Sequence, residues 1–264
     1  MKAINIKAHA KINLGFNILK KNDNCQKHDF ESIFIRVDNL YDEVQISESP
    51  KPYDIVNYYI NNNEILVYSR LIYKTLDYLR SQKFTKKYYW IKIIKNIPIG
   101  SGLGGGSSDA AAVFKGILEP ADLNKLNYYE IGTLLGADIP FFLSDYSSAY
   151  VTNLGTALMD LSGFIKFKYN VHILNINVNT QLIYQKYDQF EKEQPKNNYI
   201  SIIDQLKENQ IPTMILNDLQ QHCFDLYPMI KYRYDELRKQ TNDLVLLSGS
   251  GSSLISIARE QIKE

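Results

Sequence analysis

The stretch Pro98-Ile99-Gly100-Ser101-Gly102-Leu103-Gly104-Gly105-Gly106-Ser107-Ser108 constrains this chain more than any other, because it joins a strand pattern to a helix pattern. Upstream, Tyr89-Trp90-Ile91-Lys92-Ile93-Ile94 is rich in aromatic and β-branched residues and predicts a strand. Downstream, Asp109-Ala110-Ala111-Ala112-Val113 predicts the opening of a helix. Glycines in between permit positive φ and a close backbone approach to a ligand. The first helical turn leaves N–H groups unpartnered, and these donors together with the helix dipole attract anions. Strand, glycine loop and helix in this order predict a phosphate cradle, with a simple connecting turn as the plain alternative. Asp109 in that first turn would compete with a phosphate, so a bound nucleotide is expected to bring Mg²⁺. Its protein ligand is left open among Ser107, Ser108 and Asp109.

Two familiar nucleotide loops do not fit. No Gly-Lys-Ser or Gly-Lys-Thr closes the stretch, as the common phosphate loop requires. Nor does the loop sit in a first βα turn, where the dinucleotide fingerprint belongs.

Near the N-terminus, Ile4, Ile6, Ala8, Ala10, Ile12, Leu14, Phe16 and Ile18 alternate with polar residues, which predicts a strand. Side chains two apart on a strand share a face, so Lys11 and Asn13 project together, opposite the apolar row. They either share a substrate or line a solvated edge. Further along, Ile131, Leu134 and Leu135 mark a helix that Gly136 ends, and Pro140 biases Ile139 toward an extended backbone. Asp138 is thereby held on a short connection between that helix and the apolar segment from Ile139 to Leu143. It is either a turn former or a positioned carboxylate.

These blocks together resemble the superfamily of galactokinase, homoserine kinase, mevalonate kinase and phosphomevalonate kinase, the GHMP kinases. Ala10-Lys11-Ile12-Asn13-Leu14 is similar to the family's first motif, Pro98 to Ala111 to its ATP loop, and Leu247-Ser248-Gly249-Ser250-Gly251 to its third motif. Gly136-Ala137-Asp138-Ile139-Pro140-Phe141-Phe142 resembles the segment bearing the catalytic aspartate. Asn217-Asp218-Leu219 with Tyr227-Pro228 resembles the second-domain signature of the branch that phosphorylates a diphosphocytidyl-linked methylerythritol.

The resemblance implies an α+β fold of two lobes. The N-terminal lobe, residues 1–152, would resemble domain 2 of ribosomal protein S5, and the C-terminal lobe, residues 153–264, would be ferredoxin-like and trimmed at its end. It implies ATP as co-substrate, Mg²⁺, and phosphorylation of the 2-hydroxyl of the cytidyl alcohol, on the way to isoprenoid precursors. Pro98 to Ser108 would bind ATP, steadied by Ser248, Gly249, Ser250 and Gly251. Asp138 would accept the hydroxyl proton as general base and Lys11 would neutralise the phosphoryl group in flight, which suits a reaction that asks mainly for positioning and charge stabilisation. Asn13, His28 and Tyr184 would hold the substrate, the last two at the cytosine.

One departure stands out. Where the family carries Asp-Gly-Tyr-His, this chain reads Asp23-Asn24-Cys25-Gln26-Lys27-His28, so Lys27 replaces a stacking tyrosine. That keeps open a kinase of the same superfamily acting on another small alcohol. A nucleotide-binding protein that has lost catalysis is a third reading, opposed by the intact Lys11 and Asp138.

In the C-terminal part, Val171 to Ile176 predicts a strand, Tyr199 to Lys207 and Met229 to Gln240 predict helices, and Leu244 to Leu247 with Leu254 to Ala258 predict strands flanking the Gly-Ser turn. Gln189 to Asn198 predicts a loop. A net charge of +1 gives no electrostatic footprint for nucleic acid or an anionic membrane. No apolar run approaches 20 residues and no basic-then-apolar leader is present, so a cytoplasmic monomer or homodimer with a small-molecule substrate is expected. Cys25 and Cys223 are read as free thiols.

Overall fold

A computed structural model describes residues 3–21, 27–67, 70–190 and 195–259. Cys25 and the stretch that replaces the family's Asp-Gly-Tyr, apart from Lys27, lie outside the described residues, as does part of the loop expected at Gln189 to Asn198.

The chain opens with two long antiparallel strands, β1 (Ile4–Lys21) and β2 (His28–Glu48), followed by β3 (Ile55–Ile60), β4 (Asn63–Ile65), α1 (Leu71–Ser81) and β5 (Tyr89–Ile94). The glycine loop then enters α2 (Gly105–Ile117), succeeded by α3 (Pro120–Leu123), α4 (Tyr128–Leu134), α5 (Ile139–Leu143) and the hairpin β6 (Ser148–Asn153) with β7 (Ala157–Asp160). The remainder is β8 (Tyr169–His172), α6 (Thr180–Asp188), α7 (Tyr199–Lys207), α8 (Gln220–Leu226), α9 (Pro228–Gln240), β9 (Leu244–Leu247) and β10 (Leu254–Ile257). Sequence expectations hold closely for β5, α7, α9, β9 and β10. The strand expected over Val171 to Ile176 is instead β8, ending at His172.

β2 organises the first sheet. Along one side it pairs with β1; along the other it pairs with β6 over Phe30–Ile35 and with β5 over Glu43–Glu48. Among the described residues this sheet has seven strands, and a second one has three, in the order β8-β10-β9. The ferredoxin-like lobe is therefore represented by three strands rather than four. Because β7 pairs with β6, the first sheet runs on to Asp160, past the lobe boundary expected at 152/153.

The alternating apolar row of β1 does not face one core. Ala8, Phe16 and Ile18 pack into a cluster with α1, α2 and α5, whereas Ala10, Ile12 and Leu14 pack into a second cluster with α7, β9 and β10. Register shifts between His9 and Ala10 and between Leu14 and Asn17, with Gly15 at φ +78, turn the strand over at both ends of the central segment. β2 carries three extra residues at the first shift and β1 one at the second, and an odd slip exchanges the two faces of a strand. Consequently Lys11 and Asn13 point inward on the glycine-loop side, while Asn17, also buried, bonds Glu31 and Asn197.

Candidate active site

The glycine loop differs from its expected form at its helix end. The helix begins at Gly105, not Asp109, with Gly104 as N-cap at φ +73. Glycine has low helix propensity, but packing overrides it here: a Cβ on Gly105 would lie 3.0 Å from Ile97 Cγ2. The first-turn amides thus belong to Gly105, Gly106 and Ser107, and Asp109 sits a turn deeper, 1% exposed. Its Oδ2 is 2.7 Å from Lys95 Nζ, so that oxygen is engaged by the lysine, with both residues in the wall of the cavity beside the loop. Gly102 also has positive φ, and a Cβ there would lie 2.6 Å from the carbonyl oxygens of both Ser248 and Gly251. The loop is seated against the 248–251 turn, and Ser253 N–H donates to Ser101 O at 3.0 Å. Ser248, Gly249, Ser250 and Gly251 are therefore where a supporting turn belongs.

The central segment of β1 is fastened to this loop by Lys11 N–H, which donates to Leu103 O at 2.9 Å. The Lys11 side chain, 5% exposed, donates to Asn13 Oδ1 at 2.5 Å and lies 3.4 Å from Asp138 Oδ2. Its ammonium also sits 4.6 Å from the ring centroid of Phe34. Asn13 is fully buried and gives its Nδ2 to Ser32 Oγ at 3.0 Å. The amide is thereby committed to protein partners and acts first as a brace for the lysine.

Asp138 is presented differently from the sequence expectation. Ile139 is not extended: Ile139–Leu143 forms the short helix α5, with Asp138 as N-cap and Pro140 in its first turn. Proline is tolerated there because its missing N–H would have had no helical partner. The carboxylate is left 28% exposed toward a cavity of about 460 Å³. Lys11, Asn13, the glycine loop, Tyr184 and Ser250 share the walls of that cavity. One concave space thus holds an anion-seeking loop and an ammonium–carboxylate pair.

Tyr184 lies on α6, and its hydroxyl is pushed up by burial and by the nearby Asp138 charge. His28 stands beside it, ring centroids 6.1 Å apart and planes 29° from parallel. Both His28 nitrogens already meet protein atoms: Nδ1 is 2.9 Å from Leu19 O and Nε2 is 2.7 Å from Asp188 Oδ1. Burial raises Asp188, but hydrogen bonds from Lys21 and His28 outweigh it and hold the carboxyl below its ordinary value. Sequence reasoning missed Asp188, and nothing local in the chain points to its pairing with a residue so distant. Lys27 is exposed and donates to Thr133 O at 2.6 Å.

Sequence reasoning also missed Lys95 and Asp42. Lys95 Nζ bonds Asp42 and Asp109 together, and all three side chains are buried. Asp42 Oδ1 accepts from the backbone N–H groups of Asn96, at 2.5 Å, and Ile97, at 2.8 Å. Burial drives the Asp109 carboxyl up to about 7; Lys95 opposes the rise and Asp42 adds to it. Among the described residues no three carboxylate, imidazole or thiol side chains converge as a metal cage. With Asp109 engaged by Lys95, the donor set does not form a dedicated Mg²⁺ site. Cys223 is a buried free thiol, pushed up to about 12 by burial. No described helix is long and apolar enough to cross a membrane.

The chain matches the GHMP kinases N terminal domain over residues 70–145, which takes in the glycine loop and Asp138. It is 52% identical to the 4-diphosphocytidyl-2-C-methyl-D-erythritol kinase of Ureaplasma urealyticum, over 96% of this chain and 94% of that one. It is 30% identical to the kinase of the same name from Chlorobaculum tepidum, over 97% and 90% of the two chains. A crystal structure of 4-(cytidine 5'-diphospho)-2C-methyl-D-erythritol kinase superposes with a TM-score of 0.70 at 26% identity, covering 97% of this chain and 90% of that one. Homoserine kinase from Cytophaga hutchinsonii shares the fold, with a TM-score of 0.64 at 18% identity over 99% and 87%. The chain belongs to the 4-diphosphocytidyl-2-C-methyl-D-erythritol kinase family of the GHMP kinases.

Proposed function

We propose that this protein transfers the γ-phosphoryl group of ATP to the 2-hydroxyl of 4-diphosphocytidyl-2-C-methyl-D-erythritol, a step toward isoprenoid precursors. The observation that carries the reading is the 3.4 Å approach of Lys11 to Asp138 inside the cavity walled by the glycine loop. The loop, Pro98 to Ser108, holds the triphosphate through backbone amides at the start of α2. Asp138 accepts the proton of the hydroxyl as its oxygen bonds to the γ-phosphorus; the bond from that phosphorus to the β,γ-bridging oxygen breaks, and ADP leaves. Lys11 offsets the charge on the phosphoryl group during transfer, and Asn13 keeps the ammonium aimed. The protein's work is positioning and charge stabilisation.

Tyr184 offers the cytosine a ring face, with His28 and Asp188 beside it. Mg²⁺ would arrive with the triphosphate, to which it supplies charge neutralisation, and such an ion needs few protein ligands. The chain acts in the cytoplasm as a monomer or homodimer, without nucleic acid.

A second reading, a superfamily kinase for another small alcohol, is favoured by Lys27, which reaches Thr133 O instead of offering a second ring to the base. Incubation with ATP, Mg²⁺ and a panel of alcohols, followed by ADP release, separates the two. Turnover of the cytidyl alcohol well above the others is the expected result. Turnover confined to another alcohol overturns the specific assignment, and none at all removes the kinase reading.

A further inference from the structure

We propose that Lys95, bridging Asp42 and Asp109, is a positioning residue for the nucleotide: it ties the chain entering the glycine loop to the helix leaving it and so sets the spacing of the amides that meet the phosphates. The proposal rests on the reading of that loop as the ATP site. Lys95 directly follows β5, and its backbone N–H donates to Tyr59 O at 2.8 Å, which anchors the entry to the sheet. Its ammonium then reaches Asp42 on β2 and, at 2.7 Å, Asp109 on α2. Asp42 also clamps the next two residues through its contacts with the amides of Asn96 and Ile97. Entry and exit of the loop are thereby held to one buried point. A Cβ on Gly105 would lie 3.2 Å from Lys95 Nζ, so the first helical residue rests against the same atom.

The charge balance argues for positioning over direct attraction of phosphate. Two carboxyl groups face one ammonium, and even with Asp109 partly protonated near pH 7 the cluster carries no net positive charge beside a site for a polyanion. Asp109 Oδ1 is buried without a hydrogen-bond partner. An unpaired carboxylate oxygen is a poor neighbour for phosphate, and a lysine bonded to two aspartates keeps one of its three N–H donors, so its main engagement is with the carboxyl groups. What the arrangement does supply is a fixed distance between β5 and α2.

Asp109→Asn leaves Lys95 paired one-to-one with Asp42 while loosening the helix end, and Lys95→Met releases both ends. Hydrogen exchange of the amides from residue 98 to 106, measured without nucleotide, is expected to speed up in both variants. The KM for ATP is expected to rise about tenfold or more, as misplacement of a binding group does, with the KM for the alcohol nearly unchanged. Unchanged exchange and unchanged KM for ATP in Asp109→Asn overturn the proposal, even where Lys95→Met fails to fold. An equal rise in both KM values also overturns it, since that marks general loosening of the fold. Failure of the wild-type protein to bind a non-hydrolysable ATP analogue would remove the ATP reading, whereas the exchange measurement without nucleotide judges the tie by itself.

Discussion

Two lysines flank the glycine loop, and their acidic partners divide their tasks. Lys11 meets one carboxylate, Asp138, which is 28% exposed to the cavity, and its other contacts are the neutral amide of Asn13 and the Phe34 ring. Lys95 meets two carboxylates, Asp42 and Asp109, whose side chains are 0% and 2% exposed. An acid open to the cavity can reach a substrate proton; Asp42 and Asp109 are buried and already held by the lysine, although Lys95 and Asp109 stand in the wall of the same cavity. In the function proposed above, the same pairing of ammonium with carboxylate serves chemistry on one side and geometry on the other, and exposure decides which.

The sharpest way to break this contrast is Asp138→Asn. General bases contribute about 10²- to 10⁴-fold, so turnover should fall by about that factor, while affinity for a non-hydrolysable ATP analogue stays near that of the parent. Steady-state kinetics and calorimetry on one preparation measure both. Activity within a few-fold of the parent would deny Asp138 its role.

Stability should show the reverse order. Lys95→Met strands two buried carboxylates without a counter-charge, and breaking a buried pair in this manner costs about 3–5 kcal/mol. Lys11→Met strands one carboxylate that water can reach, so urea denaturation should find the smaller loss there. Equal losses, or a larger one for Lys11→Met, would erase the distinction between an open and a sealed cluster.

How much of this was legible in the sequence depends on how far apart in the chain the partners lie. Lys11 and Asn13 are two residues apart, and the period of a strand puts them on one face whatever the rest of the fold does. The glycine loop announced itself through composition between a strand and a helix. Its first helical residue did not, because Gly105 and Gly106 have low helix propensity, and it is Gly105 that packing against Ile97 recruits. The α5 turn was hidden in a similar way: Pro140 reads as a signal for extended chain before it, yet in a first helical turn it is well placed. Lys95 and Asp42 pair across a separation no local pattern records, through the alignment of β2 with β5. The reversal of β1 between the two cores was likewise invisible, since the alternation of its apolar residues continues unbroken through the bulges that turn it over.

A gentler probe of the sealed cluster is pH. Asp109 is raised to about 7 by burial, so the folded protein binds a proton there that the unfolded chain has already released above the ordinary carboxylate range. The stabilisation from that proton is complete in acid and disappears as pH rises through about 7. Melting temperatures followed from pH 5 to 8 should therefore decline more in the wild-type protein than in Asp109→Asn. Parallel curves would mean that this carboxylate does not titrate in the folded state.

The smallest effect belongs to the alcohol side of the cavity, where the open cluster meets a pocket with one ring fewer than the family pattern. Lys27 contributes a cation that reaches Thr133 O at the end of α4, and Tyr184 is left as the ring in the cavity wall that is proposed to meet the base. Aromatic stacking contributes about 1–3 kcal/mol per base, so Lys27→Tyr should tighten binding of the cytidyl alcohol by about tenfold, with the KM for ATP unmoved. Titration calorimetry with the alcohol alone, before and after the change, isolates the base from the phosphates. If affinity stays constant, the second wall is already built from another residue, and Tyr187, edge-on to His28 at 5.8 Å, is the first to substitute. Loss of binding in Tyr187→Ala together with no gain in Lys27→Tyr would then assign the missing wall to α6, making one helix the holder of the base.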